Sequence, residues 1–381
     1  MWSESIKFIG ANDHTLDLFE NQYPLEYGVS YNSYVILDDK VAVMDTIDIR
    51  ESEAWLNTLK EELDGREVDY LIVSHMEPDH AANIDTLCKL YPNMKVVGNA
   101  TTFTMINNFF EIDGLEQKKH VVKEGDTLSL GKHTLQFYMA PMVHWPEVMM
   151  TYVPEEKVLF SADAFGKFGT LDVEDDWATE ARRYYFNIVG KYGMQVQNAL
   201  KKLSGLEINV ICPLHGPILT ENLGYYLNLY NTWSSYQPEE DGVLIAYATI
   251  YGHTKEAAYD LKKMIEATGQ KVKILELNRV PVSVAIVEAF RYSKLVLMSS
   301  SYDAGVFPAM ELFLLELSHK NFQNRKVAIV ENGSWAPSAG KTIKSYVEKW
   351  KNIDLVEPVI TIRSKAKKAD EEKLEALAKT I

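Results

Sequence analysis

The chain has 381 residues, a formal net charge of −15, and 46% hydrophobic and 24% charged residues. This length favours two domains over one, and the acidic balance argues against nucleic acid or an anionic membrane as a partner, because both repel negative charge. No apolar run approaches the ~20 residues of a membrane span, and the first residues lack the apolar core of a secretion signal. We therefore expect a cytoplasmic protein of ordinary globular class.

Short strand-like runs and helical runs are interspersed in the first 238 residues. Tyr34–Leu37 and Val41–Asp45 have the apolar character of buried strands, whereas Glu53–Leu63 and Asn83–Leu90 have helical periodicity. Two sheets covered by helices would accommodate this mixture. The sequence therefore predicts an αββα sandwich for this part of the chain.

Residues 74–80, Ser-His-Met-Glu-Pro-Asp-His, directly follow the apolar run 70–73. They have the spacing H-x-H-x-D-H of the metal loop in the metallo-β-lactamase fold, with Glu77 at the second histidine position. Four ligand-type side chains within six residues can surround two cations. Imidazole and thiolate suit zinc, whereas mixed imidazole and carboxylate sites also suit iron and manganese. The carboxylate at position 77 therefore favours redox chemistry over hydrolysis.

Three further ligand-type residues, His144, Asp163 and His215, each come just after a strand-like run. A single histidine at a strand end more often has a structural role, but the succession of these residues favours a metal centre. The short carboxylate of Asp163 can bridge two ions. The other ligands divide into two predicted sets, one for each metal: His75, Glu77 and His144, and Asp79, His80 and His215. Four other histidines are expected at the surface or in turns: His14, His120, His133 and His319.

The apolar pattern changes near residue 240, where the polar segment 236–242 contains Pro238 and Gly242 and indicates a short linker. We therefore predict two domains, residues 1–238 and 239–381. Strand-like runs then alternate with helical ones, at Val243–Ala248, Lys271–Glu276, Lys294–Met298, Lys326–Val330 and Val356–Ile362. This alternation predicts a flavodoxin-like, doubly wound parallel sheet of five strands.

Three loops at the carboxyl ends of these strands have the chemistry of a flavin site. The first has hydroxyl groups and Gly252 at a helix start, where free backbone N–H groups bind phosphate. Hydroxyl residues also cap helices routinely, so this loop alone does not identify a ligand. All three loops lie where doubly wound sheets bind ligands, and we predict FMN, with Tyr302 and Trp335 as stacking candidates. The predicted contacts are Thr249, Ile250, Tyr251, Gly252, His253, Thr254, Ser300, Ser301, Tyr302, Asp303, Ala304, Gly305, Asn332, Gly333, Ser334 and Trp335.

The two cysteines, Cys88 and Cys212, are far apart and outside any C-x-x-C pattern. We expect both to be buried, reduced thiols. Two thiols cannot supply the four that a rubredoxin-like or iron–sulfur site needs. The sequence therefore predicts that this chain has no such module.

The whole chain resembles the flavodiiron proteins, also called A-type flavoproteins, which join a metallo-β-lactamase-like di-iron domain to a flavodoxin-like FMN domain. The resemblance rests on H-x-E-x-D-H at His75–His80, on His144-Trp145-Pro146, on Asp163, on His215-Gly216-Pro217 and on T-x-Y-G-x-T at Thr249–Thr254. Because the sequence ends after the second domain, it resembles the two-domain members.

The resemblance implies reduction of O2 to water, of NO to N2O, or both, at two iron ions, as a protection against oxygen or nitrosative stress. FMN would relay electrons from an external donor, either a rubredoxin-like protein or a reduced deazaflavin. Family members pair head to tail, so a homodimer or a dimer of dimers is expected. Tyr192 is a candidate hydrogen-bond donor to the gas, with a purely structural core role as the equal alternative. In some members the histidine that matches His80 does not reach the metal.

Two other classes of protein fit the sequence less well. A zinc hydrolase of thioesters, phosphoesters or lactams would have a histidine at the position of Glu77, and it leaves the second domain unexplained. A flavodoxin-like electron carrier with an N-terminal docking module does not explain why all seven ligand positions are filled.

Overall fold

The structure is a computed structural model that describes residues 2–381. Backbone contacts divide it into two compact units. The first extends to Tyr185 and includes Met194–Asn231, and the second consists of Phe186–Gly193 and Thr232–Ile381. The chain thus crosses between the units more than once. No helix within residues 2–381 has the length and apolar character needed to cross a bilayer.

Fifteen short strands and eight helices come before residue 235. The strands are β1 Ile6–Phe8, β2 Ala11–Asp13, β3 Leu18–Phe19, β4 Tyr23–Pro24, β5 Val29–Tyr31, β6 Tyr34–Leu37, β7 Val41–Met44, β8 Tyr70–Ile72, β9 Lys95–Gly98, β10 Lys119–Val121, β11 Thr127–Ser129, β12 Thr134–Met139, β13 Met149–Val153, β14 Val158–Phe160 and β15 Val210–Cys212. The helices are α1 Ser52–Leu63, α2 Pro78–Ala81, α3 Ile84–Leu90, α4 Ala100–Phe109, α5 Leu115–Lys118, α6 Trp177–Tyr184, α7 Gly193–Leu203 and α8 Leu223–Ser234. A π-helical turn, Tyr185–Val189, and a 3-10 turn, Gly190–Tyr192, lie between α6 and α7.

The first unit contains two large sheets, with strand orders β1-β6-β7-β8-β9-β10 and β11-β12-β13-β14-β15, and two small two-stranded sheets, β2-β5 and β3-β4. Ile36 and Ile72 of the first sheet share one buried apolar cluster with Phe137 and Val158 of the second. The sheets therefore pack face to face, and burial of these apolar side chains provides the main stabilising term. This is the predicted αββα sandwich, and its strand ends position the first candidate site.

The second unit is built on a parallel sheet of five strands in the order β17-β16-β18-β20-β21, the doubly wound arrangement that the sequence predicted. The strands are β16 Glu240–Ala248, β17 Val272–Glu276, β18 Tyr292–Tyr302, β19 Gly305–Val306, β20 Gln323–Asn332 and β21 Lys351–Ile362. The helices are α9 His253–Glu266, α10 Val282–Arg291, α11 Pro308–His319, α12 Ala339–Val347 and α13 Lys368–Thr380. One buried apolar cluster joins Ile245 of β16 and Val296 of β18 to Leu261 of α9 and Leu374 of α13. These two helices therefore cover the sheet through apolar side chains.

One detail of this sheet differs from the prediction. Strand β18 continues to Tyr302 and pairs antiparallel with β19, so a sixth, very short strand joins the five parallel ones. The residues Ser299–Tyr302, expected in a loop, therefore belong to a strand. Only Asp303 and Ala304 form the turn, both with positive φ.

Candidate functional site

The loop between β8 and α2 is fixed by backbone hydrogen bonds to a buried carboxylate. Asp45 accepts from the backbone N–H of Ser74 at 2.6 Å and of His75 at 3.3 Å. Glu77 is the N-cap residue of α2 and precedes Pro78 at its first position, so the chain turns sharply here. This turn directs the four ligand-type side chains of one short segment into the same buried space.

The first of two groups of ligand-type atoms contains the Nε2 atoms of His75 and His144. Glu77 Oε2 lies 3.3 Å from His75 Nε2 and 3.1 Å from His144 Nε2. Asp163 Oδ2 lies 3.3 Å and 3.1 Å from the same two nitrogen atoms. Two imidazole nitrogens and two carboxylate oxygens therefore converge on one point.

The second group contains the Nε2 atoms of His80 and His215, which are 3.0 Å apart. Asp79 Oδ2 lies 3.5 Å from the first and 3.3 Å from the second. Asp163 Oδ1 lies 3.4 Å from His80 Nε2. The two oxygens of Asp163 thus face opposite groups, which is the geometry of a bridging carboxylate.

These groups have the chemistry of a two-metal centre. All seven side chains are buried, and the carboxylate oxygens of Asp79 and Asp163 make no hydrogen bond of good geometry within residues 2–381. A buried carboxylate without such partners is costly unless a cation offsets it. Ligand atoms held at about 2.0–2.2 Å from an ion lie at separations of this order. The structure brings together all the predicted ligands, in the two predicted sets.

The electrostatics of the metal-free site show strong mutual attraction among these side chains. Burial alone would raise the pKa of the Asp163 carboxyl, but neighbouring imidazoles, His75 foremost, hold it well below its usual range. Burial would lower the pKa of His144, but Asp163 and Glu77 raise it to about 9. The pKa of Glu77 is also far below normal, because His144 and His75 outweigh its burial. The carboxylates thus create a strongly negative field that favours cations.

Further contacts hold two of the imidazoles in orientation. His75 Nδ1 lies 2.8 Å from Glu147 Oε1, and His215 Nδ1 donates to the backbone oxygen of Ser30 at 2.7 Å. The ring of Phe19 meets the His215 ring edge-on, with centroids 5.4 Å apart. Hydrogen bonds of this kind hold ligand imidazoles in most metal sites. Glu147 lies three residues after His144, and that proximity is the signal by which it could have been identified.

Tyr184, which the sequence analysis did not select, lies beside the ligand cluster. Its ring centroid is 5.5 Å from that of His215, and its buried hydroxyl has no hydrogen-bond partner within residues 2–381. Burial, and then the charge of Asp163, raise the pKa of Tyr184 well above its usual range. The hydroxyl therefore keeps its proton and can donate it in a hydrogen bond.

The predicted donor Tyr192 has no hydrogen bond or ring contact with the cluster among the interactions of residues 2–381. It is half-buried in the 3-10 turn, with the Lys191 ammonium 5.9 Å from its ring centroid. The contact of Tyr184 with residues distant in sequence is visible only in three dimensions.

A cavity of about 300 Å³ borders the ligands Glu77 and Asp79. It combines apolar and polar wall residues, which are Leu16, Leu18, Phe19, Glu20, Asn21, Tyr31, Asp48, Arg50 and Pro78. The Arg50 guanidinium donates to Asp48 Oδ2 at 2.9 Å and to the Tyr31 hydroxyl at 3.0 Å. The cavity has room for a diatomic gas together with several water molecules, each of about 30 Å³.

The second candidate site begins at the turn between β16 and α9. Gly252 has φ +98°, a conformation that glycine adopts without strain, and its N–H donates to Thr249 Oγ1 at 3.1 Å. Thr254 Oγ1 and Ser300 Oγ are 3.1 Å apart, which joins this turn to β18. The free N–H groups at the start of α9 and these hydroxyls form a donor set suited to a phosphate.

A cavity of about 540 Å³ lies beside this turn. Its lining contains all the residues predicted for FMN except Gly252 and Gly305, and it adds Ala336, Ser338 and Ser364. Tyr302 and Trp335 are both on its rim, with 45% and 90% of their surfaces exposed. Exposed aromatic rings at a hydroxyl-rich cavity match the dimensions and chemistry of a flavin ring joined to a phosphate.

Two family models match the chain. One, described as ODP family beta lactamase, matches residues 29–216, and the other, described as Flavodoxin, matches residues 245–376. The matched ranges correspond to the two sites just described. Each model therefore covers one site and its supporting sheets.

Known proteins of the same organisation are similar to this chain. A diflavin flavoprotein A 1 from Synechocystis sp. is 33% identical over 72% of this chain and 49% of its own length. A nitric oxide reductase from Moorella thermoacetica is 29% identical over 95% of this chain and 92% of its own length. The solved structure of rubredoxin oxygen:oxidoreductase from Desulfovibrio gigas has 25% identity and a TM-score of 0.92, over 100% of this chain and 96% of that one. The chain thus spans about half the length of the Synechocystis relative and nearly all of the other two.

Proposed function

Because the chain belongs to the flavodiiron protein family, we propose that it is an oxidoreductase that reduces O2 to water, NO to N2O, or both. The observation that supports this most is the arrangement of seven buried ligand-type side chains in two groups around Asp163. A site of four histidines and three carboxylates suits iron, whereas a site of imidazole and thiolate suits zinc. The biological role would be protection against oxygen or nitrosative stress.

The two iron ions would be held by the two predicted sets, with one oxygen of Asp163 facing each set. When bound, the iron ions supply electrons and open coordination positions for the gas. Asp163 and the other carboxylates offset part of the metal charge, while Ser30 and Glu147 keep two imidazoles in orientation. The aromatic ring of Phe19 limits the access of water to His215.

Tyr184 is the proposed hydrogen-bond donor to the reacting gas, in place of Tyr192. Its hydroxyl is buried, protonated and without a protein partner within residues 2–381. A donor of this kind stabilises negative charge as it develops on an oxygen atom, because the surrounding dielectric is low. Protons for the products would enter by the cavity next to Glu77 and Asp79.

FMN is the proposed occupant of the second site and would be held by its phosphate and its ring. Thr249, Thr254 and Ser300 would surround the phosphate together with the N–H groups at the start of α9. Tyr302 and Trp335 would contact the isoalloxazine ring. We propose the sixteen predicted residues as contacts, and residue 238 as the domain boundary, since α8 ends at Ser234 and β16 begins at Glu240.

The electron donor is proposed to be an external rubredoxin-like protein, with a reduced deazaflavin as the other candidate. The two cysteines are free and buried, which leaves no thiolate set for an iron–sulfur or rubredoxin-type centre in these residues. Their reduced state also supports a cytoplasmic location.

A head-to-tail homodimer, or a dimer of dimers, is proposed because electrons must pass over a short distance from flavin to metal. In this arrangement the flavin of one subunit would lie beside the metal site of the other. Analytical ultracentrifugation of the fully loaded protein tests it. A monomer that is active at nanomolar concentration would overturn the dimer without affecting the assignment of the two sites.

The decisive experiment is metal and flavin analysis of protein purified without oxygen, followed by anaerobic turnover with O2 and then with NO. We expect about two iron ions and one FMN per chain, and consumption of at least one gas when a rubredoxin is the electron source. Two zinc ions without flavin would instead indicate a hydrolase. A Thr254→Val variant, which should bind flavin more weakly and keep its iron, controls for the independence of the two cofactors.

A further inference from the structure

Glu147 is the only carboxylate outside the proposed ligand set that contacts a ligand imidazole among the interactions of residues 2–381. Its Oε1 atom lies 2.8 Å from His75 Nδ1 and accepts from the backbone N–H of Met76 at 2.7 Å. The side chain is fully buried, and its Oε2 atom has no partner within the described chain. Asn99 donates to the backbone oxygen of Glu147 at 2.6 Å, so the residue is fixed at its backbone too.

At the other metal position no carboxylate contacts the Nδ1 atom of an imidazole, although the buried carboxylate of Asp45 interacts electrostatically with His80. His215 Nδ1 donates to a neutral backbone oxygen, that of Ser30, and the buried His80 Nδ1 has no hydrogen-bond partner within residues 2–381. Both groups have two imidazoles and share Asp163, and each has one further carboxylate. The contact of Glu147 with His75 therefore makes the two positions electrically unequal.

A carboxylate hydrogen-bonded to the far nitrogen of a ligand histidine makes that imidazole a stronger donor, and its loss costs about 10- to 100-fold in metal affinity. A neutral carbonyl polarises the imidazole less. A buried negative charge also stabilises the more highly charged state of a nearby ion, because the local dielectric is low.

We propose that Glu147 is a positioning residue that acts through His75 on one metal position only, where it strengthens metal binding and lowers the reduction potential. The metal ion held by His75, Glu77 and His144 is then the more tightly bound of the two and the first to lose an electron. The position of His80 and His215 binds the second ion more weakly. The inference rests on the proposed function for the identity of the metal, but its binding test requires only a divalent cation.

The test is a Glu147→Gln variant, whose amide oxygen can still accept both hydrogen bonds but has no charge. Metal-free protein is titrated with Co²⁺, and the visible absorption reports the two binding steps. We expect the tighter step to weaken about 10- to 100-fold and the other to change much less. Equal weakening of both steps, or no change in either, overturns the inference.

The second readout is a potentiometric titration of the iron-loaded protein, followed by electron paramagnetic resonance. One of the two iron couples should move to higher potential in Glu147→Gln, so that the one-electron-oxidised form accumulates less. A merely structural role for Glu147 would shift both couples together. The matched control is Glu156→Gln, which removes a carboxylate 2.9 Å from His133 Nε2 in the same unit and should alter neither readout.

Two ligand variants that retain Glu147 keep the inference testable if Glu147→Gln does not fold. The tighter Co²⁺ step should disappear in His144→Ala and persist in His215→Ala, and the reverse pattern overturns the proposed order. Failure of the proposed function is a different outcome, because protein without iron or flavin can still bind Co²⁺ in two unequal steps. Iron-loaded, gas-reducing protein with two equal steps would overturn only this inference.

Discussion

The two candidate sites both lie at strand ends, but they differ in how far their side chains are exposed to solvent. In the metal site every proposed ligand is buried and converges with side chains from several strand ends. In the flavin cavity the rim residues Tyr251 and Trp335 have 92% and 90% of their surfaces exposed. A highly charged metal pair requires fixed ligands and a low dielectric, whereas a cofactor that receives electrons from another protein must be reachable. The difference fits the proposed function, in which gas reduction takes place in one unit and electrons enter through the other.

The largest effect should come from the bridging residue. An Asp163→Asn variant is expected to lose both metal ions and all gas reduction, because one side chain serves both groups of ligand atoms. Flavin content should stay at the wild-type level. Metal analysis beside visible absorption checks both points, and a parallel loss of flavin would show that the two sites are not independent.

Substitution of Tyr184 should have the next largest effect on gas reduction. In Tyr184→Phe we expect kcat to fall by about 100-fold, as for the loss of one preorganised donor, with iron content and KM unchanged. Tyr192→Phe is the matched control and should retain wild-type kcat. Steady-state gas consumption measures both variants. An inactive Tyr192→Phe beside an active Tyr184→Phe would restore the assignment made from sequence.

A smaller effect is expected at the flavin site. Thr254→Val removes one hydroxyl near Ser300, and loss of one hydrogen bond of about 1 kcal/mol should weaken FMN binding about fivefold. Affinity for riboflavin, which has no phosphate, should not change. Thr268→Val, beyond the other end of α9, is the control. Flavin fluorescence titration provides the dissociation constants, and equal losses for FMN and riboflavin would contradict a phosphate contact at Thr254.

The smallest effect concerns stability away from both sites. Burial alone would raise the pKa of Asp38, but hydrogen bonds from His133 and the neighbouring backbone lower it to about 2. A carboxylate with a depressed folded-state pKa stabilises the fold above its unfolded value of about 4, and this contribution is lost as pH falls towards 2. It amounts to at most about 3 kcal/mol. Chemical denaturation of wild type and Asp38→Asn between pH 5 and pH 2 measures it, and parallel curves for the two proteins would contradict it.

The sequence predicted the features that depend on short spacing. The H-x-E-x-D-H segment, the strand that precedes each distant ligand and the alternation of strands and helices after residue 242 all follow from local patterns. What it could not provide were contacts between distant segments. His133, expected at the surface, is buried between Asp38 and Glu156. The proximity of Tyr184 to the ligand cluster was missed for the same reason, because no local pattern shows which face of α6 meets His215.

The π-helical turn Tyr185–Val189 comes directly after Tyr184. A π turn contains about one residue more than an α turn. Deleting one residue there would therefore convert it into an α turn and leave the 3-10 turn that begins at Gly190 with nearly the same orientation relative to Tyr184. A one-residue gap in this stretch of an alignment of relatives would then record the gain or loss of the π turn, and Tyr184 and His215 should be aligned separately on its two sides.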